Sequence, residues 1–448
     1  MKLTLVGAGS PTFTPFLFKR LLQGSLPTCE SSIEVALMDV DPKALKLMGT
    51  VVERIYESFQ KKEGFKDLNV KISKNLDLSE ALSSATYVIT TVGVGGFKAT
   101  KSDIDIPAKF GVFQSIGDTV GPGGIFRGLR HIPVILKVAK TMEDVCPDAY
   151  LFNYSNPMTP VTRAVNRETK IRAFGLCTSV WHTHNYLAKF FNLPSEELDM
   201  TIAGINHFCL ITELEAKGQS LLSELNGSKP LPKRFGSVCR EMLALSGLVP
   251  YAGDRHTSEF FPNLYADGRQ VMRKYNLLPN MLTVLDLADR KPVEKRLNQI
   301  ASGVPGSVEK LLSTPGWEEE GIGVVNIMES LASGKEIIFD GVNLPNNGAI
   351  QDLPSWAIVE VPAIIGGGGI RQSKSGIRLP RDMAAVMAHR TSQYELLVDA
   401  ATTGDRSILL RALIMDGYVR SIDQAGKMMN RMLVADRKWL PEDWFPSN

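Results

Sequence analysis

The sequence predicts an α/β fold: an N-terminal Rossmann-like, doubly wound parallel sheet over residues 1–190, then a C-terminal mixed α/β lobe over residues 191–448. Three observations predict it. Short apolar runs alternate with helical stretches through the first ~180 residues, the pattern of parallel strands joined by right-handed helical crossovers. The first run, Lys2–Val6, turns directly into Gly7-Ala8-Gly9-Ser10, and the second ends in an acidic residue, Asp39. A chain of 448 residues is also too long for one ordinary domain and favours two lobes sharing a cleft.

Taken in order, Lys2–Val6 is a strand, followed by a helix from about Pro15 to Leu22 and a second strand over Ile33–Asp39. Pro42 opens a long helix at its first turn, where a missing N–H costs nothing. Val70–Ser73, Thr86–Val92, Ala149–Tyr154 and Arg172–Leu176 complete the strands, with helices such as Leu78–Ser84 and Ile125–Val145 between them. The Gly-rich stretch between Thr91 and Arg130 reads as a loop above the sheet's C-terminal edge. In the second half, Ile202–Ile205, Cys209–Glu213 and Ala357–Val361 read as strands before long C-terminal helices. We assign this lobe to substrate and metal binding and to oligomerisation.

Composition excludes several classes. With 44% hydrophobic and 22% charged residues, the chain belongs with soluble globular proteins that bury large cores. A formal charge of +2, from 50 basic and 48 acidic residues, makes no electrostatic case for nucleic acid or an anionic membrane. No apolar run approaches the ~20 residues that span a bilayer. The chain enters its glycine loop too early for a signal peptide. Cys29, Cys146, Cys177, Cys209 and Cys239 form no CxxC pair, so reduced thiols in a cytoplasmic protein are expected.

A strand ending in Gly-Ala-Gly before a helix is the turn that lets a pyrophosphate approach the backbone at a helix N-terminus. Asp39 would accept hydrogen bonds from the adenosine ribose hydroxyls and would repel a 2′-phosphate, which favours NAD over NADP. Two features depart from the standard fingerprint: Thr12 stands where the third glycine would be, and Asp39 lies about 30 residues past the turn instead of ~20. The competing reading is a tight turn with no cofactor.

A second constellation follows three later strand-like runs. Asn153-Tyr154-Ser155-Asn156-Pro157, Gly175-Leu176-Cys177 and Gly204-Ile205-Asn206-His207 each lie where a run ends. Residues just past the C-terminal ends of parallel strands collect in the ligand crevice, and a thiolate with an imidazole can hold a divalent ion. Taken singly, Cys177 also reads as a small buried hydrophobe and His207 as an ordinary hydrogen-bonded histidine.

These segments, together with Leu37-Met38-Asp39-Val40-Asp41, the run Gly117-Asp118-Thr119-Val120-Gly121-Pro122-Gly123-Gly124-Ile125-Phe126-Arg127-Gly128-Leu129-Arg130, Met158 and Ala252-Gly253-Asp254-Arg255-His256, resemble glycoside hydrolase family 4 over nearly the whole chain. These are NAD- and metal-dependent glycosidases. The Gly-Pro-Gly-Gly segment is similar to the α-galactosidase and α-galacturonidase branch, and Ala252–His256 with Glu259-Phe260 is most similar to the α-galacturonidases.

The resemblance implies hydrolysis without the usual carboxylate pair. NAD takes hydride from sugar C3, a base removes the acidified C2 proton while a metal, by resemblance Mn²⁺, stabilises the enediolate, the aglycone is eliminated, water adds, and the hydride returns. By position, Cys177 and His207 are the metal ligands, while Asn156 and Asn153 contact substrate. Thiolate and imidazole are softer than Mn²⁺ prefers, so zinc competes for the site. The base is Asp254, with Tyr251 its competitor, and Asp254 also reads as a helix N-cap. His256 is a substrate contact or a further ligand. A uronate carboxylate wants an arginine fork, and Arg127, Arg130 and Arg255 are candidates that could equally serve the NAD pyrophosphate or a structural carboxylate. The chain departs from the family at Thr178, where many members carry His, Asp or Asn; His182 and His184 would compensate or lie on a helix surface. The resemblance also implies dimers or tetramers. The runner-up substrate is an α-galactoside. The readings from other classes are a metal-independent hydroxyacid dehydrogenase and a non-catalytic NAD-binding regulator.

Overall fold

The computed structural model describes residues 1–26, 32–66, 68–227, 232–278, 291–313 and 322–445; Cys29 lies outside them. Six strands form the N-terminal part of the sheet: β1 (Lys2–Val6), β2 (Ile33–Met38), β3 (Val70–Asn75), β4 (Tyr87–Thr90), β5 (Tyr150–Asn153) and β6 (Arg172–Gly175). All are parallel, in the order β3-β2-β1-β4-β5-β6. This is the doubly wound arrangement, and the strand order reverses between β1 and β4, where such sheets open a crevice at their C-terminal ends. Leu3, Val35, Leu37, Val88, Ile89, Leu151 and Phe152 are buried, because helices cover both faces and leave the strands apolar on both sides.

The sheet does not stop at residue 190. Beyond β6 it continues through β7 (Leu198–Ile205), β8 (Phe208–Ala216), β9 (Gln219–Ser220), β10 (Ile337–Pro345), β11 (Ile358–Gly366) and β12 (Gly369–Gln372). The path runs β6-β10-β11-β7-β8-β9, with β12 on β11, and every pairing in this half is antiparallel. Gly175, Asn343, Glu360 and Gly204 pair in one row across β6, β10, β11 and β7. The second half of the chain also covers the first. Leu397, Met428, Leu433 and Trp444 share a core with Ile125, Phe126 and Leu129 on one face, while Val324, Val325 and Met328 join Phe16, Leu21 and Val51 on the other.

Two sequence expectations need correction. The stretch from Thr91 to Arg130 is not one loop: it holds the helix Gly96–Lys109 and the start of the helix Gly121–Val145. Ala99, Asp103, Ile104, Ile106 and Pro107 bury one side of the former, and its flanking glycines masked that periodicity. His207 does not follow a parallel strand. It sits in a two-residue turn joining antiparallel β7 and β8, at φ 68°, a left-handed conformation uncommon for a non-glycine residue. Among the described residues no helix is long and apolar enough to cross a membrane.

Candidate active site

The Gly7–Ser10 turn and Asp39 come together at the switch point. Gly7 N and Ala8 N both donate to Met38 O, at 2.9 and 3.0 Å. Gly9 N donates to Asp39 Oδ2 at 2.7 Å, and Asp41 N to Asp39 Oδ1 at 2.9 Å. The half-buried carboxylate is therefore held by backbone amides at the end of β2. A Cβ at Gly7, whose φ is +89°, would lie 2.9 Å from the Thr91 carbonyl, and one at Gly9 would lie 2.7 Å from Asp39 Oδ2; only glycine permits either approach. Ser10 Oγ accepts Phe13 N at 3.2 Å, closing the turn into the helix Thr14–Gln23. The small turn, the crevice and the terminal carboxylate fit a dinucleotide.

Cys177 and His207, 30 residues apart in sequence, meet with Sγ and Nε2 3.6 Å apart. The other nitrogen of His207 is fixed as a hydrogen-bond donor. Thr119 Oγ1 lies 2.7 Å from Asp118 Oδ1 and 2.8 Å from His207 Nδ1. A hydroxyl has one proton, and the carboxylate can only accept it, so Thr119 accepts from His207 Nδ1–H. That directs Nε2 toward Cys177, the outer-shell arrangement that orients metal-binding histidines. Asp118, His207 and His256 offer ligand atoms that all lie within 4.8 Å of one another, and the two imidazole centroids are 3.7 Å apart. His256 Nδ1 is buried without a hydrogen-bond partner. Two imidazoles and a carboxylate in one cluster, with the Cys177 sulfur beside His207 Nε2, are donors that fit a divalent transition metal.

Electrostatics follow this geometry. Burial pulls the His207 pKa down, but the Cys177 thiolate, then Asp118 and Glu360, raise it to about 9. Burial likewise favours protonated Asp118, yet the charges of His207 and Arg127 and the Thr119 hydrogen bond outweigh it and hold the carboxylate below its usual range. Burial and the His207 charge keep His256 neutral, well below the usual imidazole value.

The remaining predicted residues separate into those facing this cluster and those supporting it. Asn156 donates from Nδ2 to Asp118 Oδ2 at 2.9 Å while its Oδ1 is left unpartnered, and Arg127 Nε donates to Asn156 O at 3.2 Å. Asn153 is buried beneath them, accepting from Thr90 Oγ1 and Ser155 N and donating to Ser155 O. Asp254 accepts from Val238 N at 3.1 Å and Cys239 N at 3.0 Å, so its carboxylate caps the neighbouring helix Ser237–Ser246. Tyr251, fully buried, donates from its hydroxyl to Glu360 Oε2 at 2.7 Å. Arg255 is half-buried and contributes its carbonyl to Ser115 and Ser258. Arg130 is a structural group: its guanidinium is buried between Asp103, at 2.6 Å, and Asp436. His184 is held by Asp340 and Ser195 O.

Sequence reasoning missed the groups that hold the Asp118 loop and the floor of the site. Glu259 Oε1 accepts both Ile116 N and Gly117 N at 2.7 Å; burial raises its pKa to about 8. Gln114 Oε1 accepts Gly123 N, and Asp416 accepts Gly121 N. Glu360, buried in β11, accepts from Asn343 Nδ2 at 2.8 Å as well as from Tyr251. Asp118 and Glu259 stood inside recognisable segments, but the side chains that give them a role lie about a hundred residues away or more, with His207 88 positions from Thr119; Glu360 carried no local signal.

A Rossmann-type sheet with a thiolate–imidazole centre beside its switch point defines the class: an α/β enzyme that brings a dinucleotide and a metal to one crevice. Residues 2–193 match the family 4 glycosyl hydrolases and residues 202–419 match the family 4 glycosyl hydrolase C-terminal domain. The chain belongs to this family. It is 32% identical to an α-galactosidase of Bacillus subtilis, over 98% of this chain and 99% of that one. It is 33% identical to an α-galacturonidase of the same organism, over 80% of this chain and 82% of the other. Among solved structures, the putative glucosidase lplD of B. subtilis superposes with a TM-score of 0.80 at 26% identity, covering 97% of this chain and 99% of that chain. A 6-phospho-α-glucosidase from gut microorganisms, solved with NAD and Mn²⁺, gives 0.82 at 22% identity, covering 98% and 99%.

Proposed function

We propose that this chain hydrolyses terminal α-galacturonides with NAD and one divalent metal ion per subunit, Mn²⁺, as its cofactors. The observation that carries the reading is the Cys177–His207 pair, 3.6 Å apart with Nε2 turned to the thiolate by Thr119, because a metal-independent dehydrogenase has no need of it. Gly7, Gly9, Ser10 and Asp39 would hold NAD; Cys177 and His207 would hold the metal, with Asp118 and His256 beside it. When bound, these groups supply a hydride acceptor and donor for sugar C3 and a Lewis acid for the neighbouring oxygens.

The chain's own residues do the rest. Asn156 and Arg127 orient the sugar hydroxyls, and Asn153 fixes the turn that presents Asn156. Tyr251 is the base for the C2 proton, passing its phenolic proton to Glu360 as it accepts. The hydrogen bond to Glu360 supports Tyr251 over Asp254, whose carboxylate already caps a helix. Arg255 and His256 line the sugar's other side. The protein acts in the cytoplasm as a homodimer or homotetramer, which light scattering on the purified chain tests.

The decisive experiment incubates the protein with NAD, Mn²⁺ and a thiol reductant in D₂O, against digalacturonate and an aryl α-galactoside. Deuterium at C2 of the released sugar is expected. Sugar release that persists without NAD or metal, and leaves C2 undeuterated, overturns the reading. An α-galactosidase activity is the second reading, favoured by the relative that matches along its full length; the ratio of kcat/KM on the two substrates separates them.

A further inference from the structure

Several arginines of this protein that are withdrawn from solvent have carboxylates of their own. Arg130 has Asp103 and Asp436, Arg390 has Asp416, and Arg163 and Arg167 share Glu395. Arg234 is half-buried and, like the half-buried Arg127 and Arg255, has no carboxylate within ion-pair distance among the described residues. Its Nε donates to Thr183 Oγ1 at 2.8 Å and its Nη2 to Ser179 O at 3.4 Å, both neutral acceptors on the helix Thr178–Phe190. Its Nη1 has no hydrogen-bond partner among the described residues and is not one of the enclosed orphan atoms. Residues 177–186 include no Asp or Glu, so that helix turn offers no competing carboxylate.

The position is at the centre already described. The helix that holds Arg234 begins directly after Cys177, and the Thr183 hydroxyl that accepts from Arg234 also lies 3.0 Å from Tyr251 O. The charge of Arg234 acts on His256. Burial lowers its own pKa, and the groups facing it are Tyr251, Cys239, Cys177 and Tyr186, none of them a carboxylate. A partly buried guanidinium with no carboxylate to pair with is well placed to take one from a ligand.

We propose that Arg234 receives the C6 carboxylate of a uronide substrate and so selects galacturonides over galactosides at this site. The proposal rests on the glycosidase reading for its substrate. Arg234 is pinned along one edge by Thr183 and Ser179, which leaves the Nη1 corner of the planar fork to meet a carboxylate oxygen. A neutral hydroxymethyl group at the same position would leave the guanidinium charge uncompensated.

The test uses the full chain with NAD and Mn²⁺, and Arg234→Met and Arg234→Lys beside Arg255→Met. The ratio of kcat/KM on an aryl α-galacturonide to that on an aryl α-galactoside is expected to fall on the order of 100-fold in Arg234→Met, to recover in part in Arg234→Lys, and to move less in Arg255→Met. Calorimetric titration with free galacturonate and free galactose reads the same selectivity without turnover, with galacturonate affinity falling in Arg234→Met. A ratio unchanged in Arg234→Met, or lost in Arg255→Met instead, overturns the assignment. So does a wild-type chain that cleaves the galactoside and does not bind galacturonate, an outcome that leaves the glycosidase reading standing. A wild-type chain that cleaves neither substrate yet binds galacturonate through Arg234 removes the glycosidase reading and keeps the assignment.

Discussion

Replacing Thr119 by valine removes one oxygen and almost nothing else. The side chain is 2% exposed, and valine keeps its branched shape, so little repacking is needed. What disappears is the acceptor 2.8 Å from His207 Nδ1 and the donor 2.7 Å from Asp118 Oδ1. A buried imidazole N–H left without a partner costs about 1–3 kcal/mol of stability. Loss of such an outer-shell partner weakens metal binding by about 10–100-fold. Electron paramagnetic resonance of free Mn²⁺, titrated in the presence of NAD, measures the affinity, and urea unfolding of the metal-free protein measures the stability. Thr119→Ser retains the hydroxyl and is expected to stay close to wild type in both. If Thr119→Val binds Mn²⁺ within twofold of wild type, or Thr119→Ser loses as much as the valine, the hydrogen-bond argument is wrong and His207 is oriented by something else.

Other perturbations probe the neighbouring parts. Gly9→Ala places a methyl 2.7 Å from Asp39 Oδ2 and 2.8 Å from Ala44 Cβ; displacing Asp39 breaks a charge-assisted bond and is expected to weaken NADH binding about tenfold or more in a fluorescence titration, and unchanged affinity would put the cofactor elsewhere. Arg130→Met strands Asp103 and Asp436 without their counter-charge, and chemical denaturation should show a loss of about 3–5 kcal/mol; a loss below about 1 kcal/mol contradicts the buried triad. Burial lifts the Glu259 pKa to about 8 from the ordinary glutamate value of 4.5, so the folded state holds the extra proton between those values. Stability of the metal-free protein therefore falls as pH rises from about 4.5 to about 8. Glu259→Gln is expected to flatten that slope in urea unfolding at a series of pH values; an identical slope in both proteins refutes it.

The parallel half of the fold was legible because its strands are buried on both faces. Such strands must be short continuous apolar runs, and Lys2–Val6 and Ile33–Met38 read that way without knowledge of their neighbours. The antiparallel half was less legible. β10 passes through Asp340-Gly341, a turn-like pair, and its register against β11 shifts between Phe339 and Val342; a bulge interrupts the alternation that would have marked a strand. The helix Gly96–Lys109 was hidden by glycines at its start. At the site, Cys177 and His207 were legible through their family segments, whereas Arg234 and Glu360 stand in segments with no local signature.

By itself the sequence determined the doubly wound sheet, the glycine turn with its acidic strand end, and the family, since these depend on patterns within short stretches of chain. Tertiary structure decided the rest. The partners that tie Asp254 to a helix end, lock Arg130 between two carboxylates, turn His207 toward Cys177 and leave Arg234 without a carboxylate partner come from distant parts of the chain. A side chain's role is set by the groups that share its desolvated surroundings, and only the packing of the whole chain brings those groups together.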